Sequence, residues 1–215
     1  HGSQGCSTYI RRHMATHYNE PIDVASSSLT EDGTVFGGRN NLLKGLKNLI
    51  KQYNPEIIGI ATTCLADTIG EDVERYAKEF SADLEIKNIK LVPVSTPGYS
   101  GTQAEGYFSA LLSIVKNLSV NSKTHGAINI ITSSISPGDT RYLKGMLNRF
   151  EIDYILLPDN SETLDAPYQR EYNRIPDGGT SISDISRMAG AKATIELGIT
   201  ASTTLSAGEY LKHQF

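Results

Sequence analysis

Short apolar runs alternate with stretches of helical spacing along most of the chain. Five runs have the length and residue types of buried strands: residues 56–61, 89–94, 127–132, 153–157 and 193–197. Stretches of helical character lie between and after them: residues 40–53, 70–80, 102–118, 137–150, 180–188 and a helix start at 206–215. This alternation predicts an α/β fold of Rossmann-like parallel-sheet units with flanking helices, two units in tandem.

The beginning of the chain has a different pattern. Residues 8–18 have helical spacing, and residues 22–26 are interpreted as a short strand. Residues 27–38 (SSLTEDGTVFGG) are predicted to form a loop, because hydroxyls, acids and glycines dominate them. Phe36 stands inside this polar loop, and from the residues alone we favour an anchor to the core over contact with a partner.

The polar segment SVNSKTHG, residues 119–126, is the candidate boundary between the two units. It predicts a Rossmann-like unit over residues 1–120, which carries both cysteines, and a second α/β unit over residues 121–215. The chain starts at His1, inside a motif and without Met, so we interpret it as a fragment whose second unit is truncated at its C-terminal end.

The net charge of −4 and a pI near 5.7 argue against a nucleic-acid or anionic-membrane binder. No apolar run approaches the ~18 residues that a transmembrane helix needs. The two cysteines lie far apart in the sequence and form no disulfide framework. Together these features predict a cytoplasmic, reducing environment.

The common sequence motifs of enzymes are missing. The chain has no dinucleotide-binding glycine motif after a strand, no P-loop and no Gly-x-Ser-x-Gly elbow. His13 and His17 have the i, i+4 spacing of a metal pair, but no Glu follows His13 as a zinc protease requires. A hydrolase is therefore unsupported.

Both cysteines stand beside small residues. Cys6 closes HGSQGC, and Cys64 follows the strand at 56–61 in the sequence ATTC. A thiol at the carboxyl end of a parallel strand lies where open α/β sheets bind ligands. If the strands at 56–61 and 89–94 are parallel, the turn STPGYSG brings Gly98 to the same edge. From the residues alone the cysteines are either small core residues or ligands.

Four segments together resemble the nitrogenase component 1 family: HGSQGC, SSLTEDGTVFGG, IGIATTCLADTIGEDV and VPVSTPGYSG. The resemblance extends over nearly the whole chain, and the pair formed by HGSQGC and TTC is specific. Within the family the chain is most similar to a β subunit.

This resemblance implies that both cysteines are metal ligands. The β subunits of the family supply thiolates to the 8Fe-7S P-cluster at the interface with the α subunit, and the matching positions are Cys6 and Cys64. Soft thiolates hold iron–sulfur clusters, and neighbouring glycines let backbone amides approach the sulfurs. A third cysteine of such subunits lies upstream of HGSQGC. Some members have at Gly98 a Ser whose hydroxyl adds a ligand, which Gly cannot supply.

The resemblance also implies partners. Phe36 matches an aromatic residue at the surface where the iron protein, an ATP-dependent reductase, docks, and this favours docking over the anchor. Tyr9 matches a Tyr on the electron path between the P-cluster and the active-site cofactor of the α subunit. Glu20 falls near a cation site at the contact with a second β subunit.

The implied function is therefore electron relay from the iron protein to the α subunit, within a heterotetramer that reduces dinitrogen. The alternatives are a scaffold subunit for cofactor assembly, which tends to lack the cysteine at position 64, and an α/β binding module without iron. We expect Cys6 and Cys64 to lie close together across the sheet edge. We expect the isolated fragment to hold no iron and to be inactive, because it offers only part of a ligand set.

Overall fold

The computed structural model describes residues 1–20, 22–82, 88–167, 170, 174–175, 178–198 and 205–215. Within them the helices are α1 (Gln4–His17), α2 (Glu31–Phe36), α3 (Arg39–Tyr53), α4 (Cys64–Thr68), α5 (Val73–Ser81), α6 (Gln103–Leu118), α7 (Pro137–Arg149), α8 (Ile182–Arg187) and α9 (Ala207–Gln214). The strands are β1 (Ile57–Ala61), β2 (Lys90–Val94), β3 (Ile128–Ile131), β4 (Tyr154–Leu157) and β5 (Ala193–Glu196), and a 3-10 helix (Met188–Gly190) follows α8. These strands pair in parallel, which confirms the predicted α/β fold.

The chain divides into two compact units between Thr102 and Gln103. The first unit contains His1–Thr102 with residues 170, 174 and 175, and the second contains the other described residues. The expected division near residue 120 follows α6, whereas the structure assigns α6 to the second unit. The reason is packing, because α6 lies against α8 and α9.

The first unit is built on a two-stranded parallel sheet of β1 and β2. Alternate residues of β1, Ile58 and Ile60, are buried, whereas Ile57 is partly exposed. The core joins β1 and β2 to α3 and α5 through Leu42, Leu46, Ile58, Ile60, Val73, Tyr76, Ala77, Phe80 and Leu91. The expectation of a fully buried strand is therefore wrong for one face of β1, since successive side chains point to opposite faces.

The second unit is built on a three-stranded parallel sheet with the strand order β4-β3-β5. On one face, Ile130 and Leu156 pack against Leu147 of α7. Asn129 of the central strand β3 is buried and donates to the Met188 carbonyl and to Thr194 Oγ1, each at 2.9 Å. The amide thus joins β3 to β5 and to the turn after α8.

The sequence-based expectations fail mainly near the beginning of the chain. Helix α1 begins at Gln4, so Cys6 lies on the helix and not in a loop before it. Residues 22–30 form no strand in the described chain, and the expected loop at 27–38 contains α2. The turn expected at Cys64 is the short helix α4.

The other predicted elements occur with ends that differ by at most three residues. No helix in the described part of the chain is long and apolar enough to cross a membrane.

Candidate metal centre around Cys6 and Cys64

The segment before Cys6 is hydrogen-bonded to the segment before Cys64. The His1 backbone nitrogen donates to the Ala61 carbonyl, and the Thr63 amide donates to the His1 carbonyl at 3.0 Å. Gly2 then passes so close to Thr63 that a Cβ on Gly2 would lie 2.2 Å from Thr63 Oγ1. Glycine is therefore required here by close approach, and the two cysteine-bearing segments begin from a common point.

Gly98 lies against the thiol of Cys64. Parallel pairing of Ala61 with Val94 brings the loops after β1 and β2 to one sheet edge. There the Gly98 amide donates to Cys64 Sγ at 3.1 Å, and a Cβ on Gly98 would lie 3.4 Å from the same sulfur. The structure thus brings together Cys64 and Gly98, as the parallel-strand argument predicts.

Asp67 fastens the loop that carries Gly98. Its Oδ2 accepts from Ser95 Oγ at 2.8 Å and from Thr62 Oγ1 at 3.0 Å. The Thr96 amide donates to Thr62 Oγ1 at 3.0 Å, and Thr96 Oγ1 donates to the Thr62 carbonyl at 3.2 Å. These hydrogen bonds therefore join α4 and the residues just before it to the loop after β2.

Three consecutive serines hold the segment before Cys6. Ser26 Oγ donates to the Gly2 carbonyl at 3.2 Å, and Ser27 Oγ accepts from the Gly2 amide at 3.0 Å. Ser28 Oγ accepts from Gln4 Nε2 at 3.2 Å. These contacts give the three serines a role in holding the segment that leads to Cys6.

A buried imidazole and carboxylate lie beneath this segment. His1 donates through Nε2 to Glu71 Oε2 at 2.9 Å, and its Nδ1 is hydrogen-bonded to Ser27 Oγ at 2.7 Å. The other Glu71 oxygen, Oε1, accepts from the Gly38 amide at 2.8 Å. The side chains of His1 and Glu71 are 0% and 4% exposed.

Both thiols are exposed and free. Cys6 lies in the first turn of α1, where Ser3 Oγ is 3.5 Å from its sulfur, and Cys64 is the first residue of α4. In the described residues no group of three or more His, Cys, Asp or Glu is placed to hold a metal ion. Exposed thiols with an amide donor on one sulfur and glycine beside it suit an iron–sulfur cluster, whose thiolates accept hydrogen bonds from backbone amides.

Tyr9 and Phe36 both lie on the surface. Phe36 ends α2 with 86% of its surface exposed, and its neighbour Val35 is 73% exposed. Phe36 therefore does not anchor its segment to the core, although the polar pattern alone favoured that role. Tyr9 lies on α1 with 65% exposure, and α1 buries none of its own residues in the described chain. Their roles in docking and in electron transfer stay predictions.

The clearest electrostatic feature of the second unit is an ion pair between α7 and the segment after β4. Lys144 Nζ contacts Asp159 Oδ2 at 2.6 Å and donates to Ser161 Oγ at 2.7 Å. Burial alone would raise the pKa of Asp159, but hydrogen bonds from Lys144 and Ser161 outweigh it and hold this pKa below its ordinary value.

Sequence reasoning missed Asp67, Glu71 and the serine triplet as parts of the site. Glu71 is interpreted from sequence only as an acid near a helix start, and Asp67 has no assigned role. A usable signal for Asp67 is its position one helical turn after Cys64, on the same short segment. Nothing local in the sequence connects Glu71 with His1 or Gly38.

Comparison with known proteins identifies the family to which this chain belongs. The family model described as nitrogenase component 1 type oxidoreductase matches residues 1–215 of this chain. The chain is 39% identical over 204 residues to the nitrogenase molybdenum-iron protein beta chain of Clostridium pasteurianum, covering 94% of this chain and 44% of that protein. It is also 39% identical over 202 residues to the nitrogenase vanadium-iron protein beta chain of Trichormus variabilis, covering 92% and 43%.

A solved structure described as nitrogenase Cp1 at pH 6.5 superposes with a TM-score of 0.93 at 36% identity, covering 99% of this chain and 46% of that one. The chain therefore belongs to the nitrogenase component 1 family, and it is similar to β subunits of that family. It spans less than half the length of these relatives.

Proposed function

We propose that this chain is part of a β subunit that relays electrons from an ATP-dependent iron protein to a cofactor in an α subunit, for dinitrogen reduction. In this proposal Cys6 and Cys64 are thiolate ligands of a P-cluster shared with the α subunit. When bound, the cluster supplies one-electron transfer. The residues of this chain hold the sulfurs, orient the loops around them and present surfaces to the partners.

The observation that carries the proposal is the environment of Cys64. A thiol buried as a small core residue would be enclosed by apolar side chains, whereas Cys64 is exposed and accepts a hydrogen bond from the Gly98 amide. Such a bond stabilises negative charge on sulfur, and the negatively charged thiolate is the form of cysteine that binds iron. Gly98 itself adds no oxygen ligand.

The exposed surfaces support the partner assignments. Helix α1 carries Cys6 and Tyr9 and buries none of its residues within the described chain, as expected of a helix that an α subunit would cover. Phe36 offers a large exposed aromatic surface of the kind that forms the centre of protein interfaces, and we assign it to docking of the iron protein. Glu20 stays assigned to a contact with a second β subunit.

Free, exposed thiols also suit a reducing location, and we propose that the protein is cytoplasmic. Because two cysteines supply only part of a cluster's ligands, we further propose that this chain alone holds no cluster and is inactive.

The test is the iron and acid-labile sulfide content, with an electronic spectrum, of the full-length chain co-expressed anaerobically with its α subunit. We expect a heterotetramer with a bridged cluster that is lost in Cys6→Ala and in Cys64→Ala. Thr16→Ala is the matched control, because this residue lies on the same helix as Cys6 and its hydroxyl donates to the His13 carbonyl of that helix.

Two results would contradict the proposal. Simple cubane clusters in a complex that does not accept electrons from an iron protein would favour the assembly scaffold. A complex without iron in any preparation would leave only an α/β binding module.

A further inference from the structure

Glu71 connects two segments that are far from it in the sequence. Its carboxylate has one oxygen on His1, in the segment that leads to Cys6, and the other on Gly38, two residues after Phe36. The Glu71 amide also donates to the Ala66 carbonyl of α4 at 3.0 Å. One buried side chain therefore touches the structures that carry Cys6 and Phe36 and is itself tied to the helix of Cys64.

The residues before α2 and the residues after it both contact residues 1 and 2. Before α2, the Leu29 amide donates to the Gly2 carbonyl at 3.0 Å, and Asn41 Nδ2 donates to the Ser28 carbonyl at 3.0 Å. After α2, Gly38 fits so tightly that a Cβ there would lie 2.2 Å from Leu29 Cδ2 and 3.0 Å from the His1 ring. Both ends of the segment that presents Phe36 thus rest on residues 1 and 2.

We propose that Glu71 is a positioning residue that couples the α2 segment, residues 30–38, to the Cys6 segment, residues 1–7. A buried carboxylate cannot release either donor without leaving an unsatisfied polar group, so the two donors stay bound together or loosen together. A change in α2 therefore reaches the Cys6 segment through the Glu71 side chain, in addition to the hydrogen bond from the Leu29 amide to the Gly2 carbonyl. Its consequence, that a protein docked at Phe36 alters the surroundings of Cys6, rests on the proposed function.

The chemistry of the bridge requires a glutamate. A carboxylate accepts at both oxygens, and here it faces two donors, an imidazole N–H and a backbone N–H. Gln keeps the shape but turns an NH2 group toward one of these donors. Asp keeps the charge but is one methylene shorter, so it reaches only one of them. Both substitutions are expected to break the coupling, for different reasons.

The test is hydrogen–deuterium exchange of the full-length chain in its complex, followed in peptides that cover residues 1–7 and 30–38. The perturbation is Val35→Gly, which loosens α2 at an exposed position. Lys47→Gly, at an exposed position of α3, is the matched control. With Glu71 present, Val35→Gly should speed exchange in residues 30–38 and at least threefold in residues 1–7, and Lys47→Gly should change neither.

In the Glu71→Gln or Glu71→Asp background, Val35→Gly should still speed exchange in residues 30–38, but its effect on residues 1–7 should fall by at least half, because only the hydrogen bond from the Leu29 amide to the Gly2 carbonyl then joins the two segments. Glu74→Gln, an exposed neighbour on α5, should leave the coupling intact. An unchanged residue 1–7 peptide in Val35→Gly, or the same change in both Glu71 backgrounds, would overturn the proposal. If neither Glu71 variant folds, His1→Phe takes their place, because it removes the donor on Glu71 Oε2 and leaves the hydrogen bond from the Leu29 amide to the Gly2 carbonyl. An equal response of residues 1–7 to Val35→Gly with and without His1 would overturn the proposal.

The functional consequence has its own readout. The iron protein should slow exchange in residues 1–7 when Glu71 is present, and at saturating iron protein this effect should be absent in Glu71→Gln. Because the exchange experiment with Val35→Gly needs no iron protein and no cluster, its failure concerns the coupling alone. Failure of the iron protein to bind would instead contradict the proposed function.

Discussion

Each unit has a buried polar side chain near its sheet, but the two side chains have different kinds of partner. Glu71 in the first unit accepts hydrogen bonds from His1 and Gly38, which lie in segments just outside the helices. Asn129 in the second unit donates to a neighbouring strand and to the 3-10 helix beneath it. The first network holds loops, and the second holds the core.

The difference extends to the surface chemistry. In the first unit the hydrogen-bonded segments lead to the helices that carry two free thiols and an exposed aromatic residue. In the second unit the ion pair of Lys144 and Asp159 joins α7 to the segment after β4. The polar network of the first unit therefore supports the residues of the candidate site, whereas that of the second unit supports the fold. Four substitutions, ordered by their expected effect on the free energy of unfolding, test this difference.

Gly2→Ala should have the largest effect. The new Cβ would lie within 2.8 Å of three Thr63 side-chain atoms, so the Cys6 segment must move away from the start of α4. We expect unfolding to become easier by about 1–3 kcal/mol, the usual cost of overpacking. The measurement is urea unfolding of the full-length chain, together with exchange in residues 1–7.

Gly190→Ala is the matched control in the second unit, because its Cβ would lie 2.3 Å from the Lys123 carbonyl oxygen. It should cost a similar free energy without changing exchange in residues 1–7. An equal increase in exchange at residues 1–7 in both variants would show that the hydrogen-bond network around Glu71 and the one around Asn129 are not independent.

Asp67→Ala should cost about 1–2 kcal/mol, because two hydroxyl donors lose their acceptor. The loop with Gly98 should loosen, and the alkylation rate of Cys64 should rise several-fold while that of Cys6 stays unchanged. Glu74→Ala, an exposed acid on α5, is the control and should alter neither rate. A Cys64 rate that is unchanged in Asp67→Ala would refute the role of Asp67.

Lys144→Met should cost about 1 kcal/mol at neutral pH, a modest value because the pair is partly exposed. The pKa of Asp159 is lower in the folded than in the unfolded chain, so the stabilisation is fully present above the unfolded pKa of about 3.9. It is lost as the pH falls through the folded pKa. Unfolding curves of Lys144→Met and the unsubstituted chain should therefore converge below about pH 4. A difference that is constant between pH 7 and pH 3 would exclude this origin.

Phe36→Ala should change the free energy of unfolding by less than about 0.5 kcal/mol, because the side chain is almost fully exposed. Binding of the iron protein should nevertheless weaken about tenfold or more if Phe36 is central to the interface. Tyr142→Ala, an exposed aromatic residue of the second unit, should leave binding unchanged. Equal weakening in both variants would remove Phe36 from the docking surface.

The regular part of the fold was predictable because it repeats. Strands such as β3 and helices such as α7 follow from apolar runs and helical spacing, and parallel pairing then predicts that Gly98 meets Cys64. Helix α2 was not predictable in this way, since it has six residues, contains Gly33 and exposes Val35 and Phe36.

The support of the site was less predictable. The partners of Glu71 lie 70 and 33 positions away in the sequence, and no periodicity reports contacts at such separations. Likewise, residues 22–26 resemble a strand in composition, but Ser26 Oγ donates to the Gly2 carbonyl and accepts from the Ser28 amide. Tertiary contacts outweigh local preference at such positions.

The most direct test of the central claim, that Cys6 and Cys64 are cluster ligands, is native alkylation followed by mass spectrometry. The sample is the full-length chain in its iron-loaded complex, before and after iron is removed with an oxidant and a chelator. We predict that both thiols are protected while iron is bound and that both react once it is removed. Equal alkylation of either cysteine in the two states would contradict the assignment of that residue as a ligand.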